Sequence, residues 1–459
     1  MDRRDQPDTT IAIIASAILI FSVLFFGSVE IWSSALIELS VFTLIIIWLV
    51  IRAKTGHPQH SGEMAISRKE RYMFIALFSL LAYIFIQMLP LPPVILKYTA
   101  PKSFELYSFY SVDKNPGMHI SLYAYKTQIE FLRVLTYSLF FILFAFSIKD
   151  MHTLERLLKI LSYFGFGLAI FAIIQKATWN GGIYWFRELT QGGSPFGPFV
   201  NRNHYAGFTG MLIPLTLGLA FTRKRRERKI LFGFFALIMA VSLFLSLSRA
   251  GIISFFAGIT VFGLFLSWGK FRAKKRWALA AFIFVLFLYL FYIGIDPVID
   301  RFYETDITRE ARIAVWSETL NAFKDFYLTG SGLGTFINVF LFYSPEAITS
   351  IYDHAHNDYL EFILETGIIG TVLLFLFLFF FVRSIVGGNW AGRTGIFKIS
   401  MLSSIITIAI HSIFDFNLHI PSNALMLSAV FGMAFAVSKM GQEISPDVPV
   451  KGVKDYENA

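Results

Sequence analysis

The feature that most limits what this chain can fold into is its succession of long apolar runs. Twelve segments, at approximately 9–27, 35–51, 72–90, 129–148, 157–178, 203–222, 230–248, 251–268, 277–295, 358–382, 399–416 and 422–438, approach the length of a membrane crossing. A crossing helix needs about 20 residues. With 56% hydrophobic and 15% charged residues, a water-soluble fold has no interior large enough for this apolar surface, so lipid must be the solvent for most of it. The expected fold is all-α: a polytopic membrane protein with about twelve transmembrane helices. The first run follows Arg3 and Arg4, as a signal peptide would. It lacks a small-x-small cleavage site and continues through Val29, Ile31 and Trp32, so it reads as a retained helix.

The net charge of +9 does not point to nucleic acid, because the basic residues sit between apolar runs, as in Arg223-Lys224-Arg225-Arg226-Glu227-Arg228-Lys229. That is the distribution of topology signals. With the N-terminus in the cytoplasm, the inner connections carry 27 of the 40 Lys and Arg and the outer half carries 13. Both termini are then expected in the cytoplasm of a bacterial inner membrane. Residues 1–438 form a single transmembrane domain, 296–357 a large periplasmic loop and 439–459 a cytoplasmic polar tail. Within the loop, Ala311-Arg312-Ile313-Ala314-Val315-Trp316 has apolar residues at helical spacing, and Gly330-Ser331-Gly332-Leu333-Gly334 breaks that helix. The absence of cysteine excludes disulfides, thiolate catalysis and zinc-thiolate or iron-sulfur sites.

In this topology the unusual polar residues fall on one side of the membrane. Asn201, Arg202 and His204 stand at the outer mouth of the sixth span. Arg249 lies in the tight turn between the seventh and eighth. Arg312 is in the large loop. His356, Asn357 and Asp358 open the tenth span, and His411 and Asp415 end the eleventh. Ionisable groups at the mouth of a membrane helix are functional candidates. Arginines suit a polyanion such as a phosphate or pyrophosphate, whose oxygens match the guanidinium fork. His356 is the best candidate for a general base or acid, placed where a hydroxyl acceptor in water meets a donor in lipid. Glu361 and Glu365 share a helix face. Glu365, roughly 13 Å along the span, needs an arginine, a backbone amine, water or a proton as partner. His411 and Asp415 are spaced to pair with each other. His354, His356 and Asp358 do not present three ligands on one helical face, so no metal site is expected.

The ordered set of motifs resembles the O-antigen ligase and polymerase superfamily, the Wzy C-terminal domain family. The resemblance rests on His356-Asn357 with Leu360, Glu365, Gly367 and Gly370, on Ser248-Arg249-Ala250-Gly251, and on Arg312 with Trp316. Gly330-Ser331-Gly332-Leu333-Gly334-Thr335-Phe336, Asn201-Arg202-Asn203-His204-Tyr205-Ala206-Gly207 and Asp415-Phe416-Asn417-Leu418-His419-Ile420-Pro421 complete it. It spans roughly 195–435. It implies a GT-C-like helical glycosyltransferase that takes a glycan from undecaprenyl pyrophosphate at the periplasmic face and needs no metal or other cofactor. A ligase would pass the glycan to lipid A-core, and a polymerase to another carrier-linked unit. A protein O-oligosaccharyltransferase ranks third. By position, Arg249 and Arg312 would hold the pyrophosphate, with Arg202 a third candidate to bind it, and His356 would activate the acceptor hydroxyl. A transporter would place its polar residues near the midplane on broken helices, whereas here they gather at one face.

Overall fold

The computed structural model describes residues 6–54, 66–110, 117–189, 192–268, 273–293, 299, 307–343, 352–387 and 390–440. The protein is an all-α polytopic membrane protein; among the described residues, twelve helices are long and apolar enough to cross a membrane. They are α1 (Gln6–Leu24), α2 (Ile31–Lys54), α3 (Arg68–Gln87), α6 (Ala124–Ser147), α7 (Met151–Ala177), α8 (Arg202–Thr222), α9 (Arg226–Leu245), α10 (Arg249–Trp268), α11 (Ala273–Ile293), α14 (Asp358–Val386), α15 (Gly392–His411) and α16 (Pro421–Met440). Each overlaps one of the twelve apolar runs. The short helices α4 (Pro93–Thr99) and α5 (Pro101–Tyr110) follow α3, and a two-stranded hairpin, β1 (Gly182–Ile183) with β2 (Arg187–Glu188), follows α7.

The bundle has a centre and a rim. The central crossings are α8, whose apolar window is 89% buried, and α16 at 83%, while α11 at 17% lies at the edge. Small residues make α8 central. At Gly207 an added Cβ would meet Asn417 Oδ1 at 2.3 Å, so only glycine lets this helix approach the turn that precedes α16. Side-chain caps fix where spans begin. Asn201 accepts from the Asn203 N–H at the start of α8, and Asn357 accepts from the N–H groups of Tyr359 and Leu360 (both 3.1 Å) at the start of α14.

Two expectations change. The eleventh span runs from Gly392 to His411, not 399–416. Ile413 and Phe414 prolong the hydropathy, but after His411 the backbone leaves the helix in tight turns, with Ile413 N–H on Ile410 O (3.3 Å) and Phe414 N–H on His411 O (2.9 Å). Asp415 and Asn417 therefore stand beyond the helix.

The tenth span, α14, is interrupted at Gly367, which takes φ 63°, ψ −168°. A segment of the preceding loop is spliced into the break. Ile368 N–H reaches Tyr327 O (2.8 Å), Ser331 N–H reaches Leu364 O (3.1 Å) and Gly332 N–H reaches Glu365 O (2.9 Å). Gln87 Nε2 donates to both Thr329 O and Glu365 O (2.9 Å each). The freed backbone groups of a broken membrane helix need such partners, since lipid supplies none. Gly330 permits the splice, because a Cβ there would lie 2.2 Å from Glu365 O. Glu365 thus sits at the end of a half-helix, taking Phe336 N–H on Oε1 (2.8 Å).

The described part of the large loop is helical, as its spacing predicts: α12 (Ile307–Asp325) and α13 (Phe336–Tyr343). They bury Val315, Phe326, Phe336 and Phe340 with Ala355 and Leu364, tying the loop to the start of α14. Residues 294–298, 300–306 and 344–351 of this region, and the polar tail from 441 onward, lie outside the described residues.

Candidate active site

The entry into α14 carries a strained residue. His356 adopts φ 50°, a left-handed conformation that costs a non-glycine residue of order 1 kcal/mol or more. Its neighbours over-determine it: Trp316 Nε1 donates to Ala355 O (2.9 Å), Asn357 caps α14, and the His356 ring packs edge-on against Phe416 at 4.9 Å between centroids. The result aims Nδ1 of His356 at Asp415 Oδ1, 3.1 Å away.

Asp415 is fully buried. Its Oδ1 also accepts its neighbour's Phe416 N–H (2.9 Å), and its Oδ2 accepts Asn203 Nδ2. Burial opposes its ionisation, but the hydrogen bond from His356 and the neighbouring imidazoles of His204, His356 and His411 outweigh it. They hold the carboxyl below its ordinary value. A carboxylate only accepts, so Nδ1 of His356 carries a proton, and in the neutral ring Nε2 keeps its lone pair. No protein hydrogen bond to Nε2 occurs among the described residues, and the His356 side chain is 25% exposed. A proton-accepting nitrogen at an accessible surface, oriented by a buried carboxylate, is the arrangement of a general base.

The polar shell continues outward. Asn203 Oδ1 accepts Ser248 Oγ (2.7 Å), and Ser248 Oγ accepts Gly251 N–H (3.1 Å) at the start of α10. Arg249 opens that helix directly after Ser248, so a chain of hydrogen bonds joins the Arg249 turn to Asp415. Arg312, on α12, donates Nη1 to Phe414 O (3.2 Å), one residue from Asp415. The site thus collects the mouths of α8, α10 and α14, the end of α15 and one face of α12.

Not every expected residue joins this centre in the same way. Arg202 lines a cavity of about 320 Å³ with Gln175, Lys176, Trp179, Gly192 and Ser246, and neither His356 nor Arg312 lines that cavity. His411 does not pair with Asp415: the end of the helix turns the carboxylate toward His356 and Asn203 instead. Both His411 ring nitrogens, and Nε2 of His204, are buried without a hydrogen-bond partner among the described residues. His204 packs edge-on against Phe416 at 4.9 Å. Asn357 is a helix cap. Asp358 turns away from His356 and accepts the Leu418 N–H (3.2 Å) and His419 Nδ1 (3.1 Å).

Sequence reasoning assigns no role to Asn203, Phe416 or His419. Phe416 is the hub of the imidazoles, stacked on His354 at 4.4 Å as well as touching His204 and His356. His354 Nδ1 lies 2.7 Å from Glu361 Oε1, and His419 Nε2 lies 3.2 Å from the same oxygen. Burial would lower the His419 pKa, but the carboxylates of Glu361 and Asp358 outweigh it and push it up to about 10, so positive charge is favoured there. The set that brings metal-ligating atoms together is His354, Glu361 and His419, within 4.8 Å of one another, rather than the His354, His356 and Asp358 weighed from sequence. A polar interruption between two apolar spans, Phe416-Asn417-Leu418-His419, was the available signal.

No curated protein matches the chain. Residues 234–375 match the Wzy_C family model, described as O-antigen ligase. The match takes in Arg249, Arg312, His356 and Glu365 and stops before Asp415. It agrees with the resemblance carried by the motifs: residues 234–375 are similar to the O-antigen ligase family.

Proposed function

We propose that this protein transfers a glycan from undecaprenyl pyrophosphate to an acceptor hydroxyl, that of lipid A-core, at the periplasmic face of a bacterial inner membrane. The observation that carries the reading is the His356–Asp415 pair, with Nδ1 of His356 engaged at 3.1 Å and the ring's other nitrogen turned toward accessible space. A sugar hydroxyl is a poor nucleophile until a base takes its proton. His356 Nε2 accepts that proton as the hydroxyl oxygen attacks the anomeric carbon. The bond from that carbon to the pyrophosphate oxygen breaks, and the electron pair leaves with undecaprenyl pyrophosphate. Asp415 stabilises the imidazolium that forms, which passes its proton to water. A single direct displacement inverts the anomeric centre.

Charge grows on the leaving pyrophosphate. Arg312 and Arg249 are its proposed partners, since positioned cations at a developing anion act most strongly in a water-poor site. Arg202, at the separate cavity, belongs to the approach of donor or acceptor. No step in this chemistry requires a metal. Placement at the mouth of a helix bundle lets the lipid tail stay in the membrane while its head group reacts.

The test is the glycan left on the carrier. A strain lacking this gene, and one carrying His356→Ala, should both accumulate long chains on undecaprenyl pyrophosphate and lose surface glycan. Carrier bearing only single repeat units would assign polymerisation instead. Unchanged surface glycan in the His356→Ala strain would refute the catalytic role.

A further inference from the structure

We propose that His354, Glu361 and His419 bind one divalent transition-metal ion, zinc by the character of the donors, which fastens the base-bearing loop to the bundle. Two imidazole nitrogens and a carboxylate oxygen are a recurrent zinc donor set, with a fourth position left to water. The separations fit. His354 Nδ1 and His419 Nε2 stand 2.7 and 3.2 Å from Glu361 Oε1, and all three ligand atoms lie within 4.8 Å of one another. Ligands at zinc bond lengths in a tetrahedron stand roughly 3.3 Å apart.

The outer shell is complete. Asp358 Oδ1 accepts from His419 Nδ1 (3.1 Å), so Nε2 is the nitrogen that faces the cluster, and it gives up its own proton when the metal binds. Such a carboxylate behind a histidine is the usual support of a metal ligand. The Ala355 N–H holds Glu361 Oε2 (2.8 Å), so Oε1 faces the histidines, and Phe416 stacks against the His354 ring. Glu361 is 1% exposed, and a buried carboxylate needs a compensating cation. The two imidazole rings lie 4.5 Å apart, centroid to centroid.

The ion would join three pieces of chain: the loop before α14, the first turns of α14, and the turn after α15. His356 lies two residues from one ligand and Asp415 four from another, so the ion fixes both halves of the base without touching it. Metal binding is independent of the transfer reading, and His356 is not a ligand.

The test uses the full-length protein purified in detergent, stripped with a chelator and dialysed. It is then titrated with Zn²⁺ or Co²⁺ alone, reading bound metal by mass spectrometry, the Co²⁺ visible spectrum and the unfolding temperature. Wild type and His356→Gln should each bind one ion per chain and unfold at a higher temperature with it. His354→Gln, Glu361→Gln and His419→Gln should lose the stoichiometric ion, and Asp358→Asn should bind roughly ten- to a hundredfold more weakly. Monodisperse elution of each variant separates lost binding from lost folding, and the wild-type titration needs no variant. Wild type that takes up no stoichiometric ion, or an ion that persists in both histidine variants, would overturn the proposal. Metal bound by a His356→Gln protein inactive in transfer supports the metal site on its own.

Discussion

At the scale of single residues, the site depends on a short chain of oriented groups: Asn203 on Asp415, Asp415 on His356, and His356 on whatever occupies the accessible side. Asp415→Asn keeps the shape but removes the charge that fixes the tautomer. It should lower the transfer rate by roughly 10²- to 10⁴-fold with little change in donor binding, measured as kcat and KM in proteoliposomes. The pH dependence follows from the sign of the shift. Because the folded state holds the Asp415 carboxyl below its ordinary value, its contribution is present above the usual carboxylate pKa of about 3.9 and is lost only as pH falls through the lower, folded value. Unfolding temperatures should therefore show no Asp415 contribution changing between about pH 5 and 7. If wild type and Asp415→Asn diverge across that interval, the carboxylate is not held as described. For Arg312, alanine should cost roughly 10²- to 10³-fold in kcat, and lysine should recover only part, since it restores the charge without the bidentate fork. Equal activity of Arg312→Lys and wild type would remove the pyrophosphate role.

The elements show what sequence patterns reveal and what they hide. Gly367→Ala places a Cβ 2.4 Å from Leu328 O on a backbone that only glycine adopts readily. It should destabilise the protein by about 1–3 kcal/mol and slow transfer by displacing the spliced loop, read by thermal unfolding in detergent beside the activity assay. A neutral Gly367→Ala would mean that the break in α14 is not required. That break was not legible beforehand, because Gly367-Ile368-Ile369-Gly370 lies inside an apolar run and composition is blind to a local dihedral. The twelve crossings were legible because burial in lipid writes itself into runs of about 20 residues. The end of α15 was misplaced since Ile413 and Phe414 are apolar yet lie in a turn. The pairing of Asp415 with His356, rather than with His411, is tertiary. Spacing along one helix cannot show that a residue 59 positions away comes closer than one four positions away. His419 was missed for the same reason.

At the scale of the whole molecule, the polar groups named above lie at one end of a bundle whose centre is α8 and α16. The orientation of that end is an expectation from the basic connectors, and it is open to a direct check because the chain has no cysteine. Glu188→Cys, exposed on the hairpin, should react with a membrane-impermeant maleimide in intact spheroplasts, while Lys224→Cys, exposed between α8 and α9, should react only after permeabilisation. The opposite pattern would invert the topology and put the site in the cytoplasm.

The most direct measurement of the central claim is the rate of glycan transfer from a defined undecaprenyl-pyrophosphate donor by purified protein in proteoliposomes, comparing wild type with His356→Ala. The base assignment predicts a fall of roughly 10²- to 10⁴-fold with the donor still bound and the variant folded. Transfer by His356→Ala within a few-fold of wild type would contradict it.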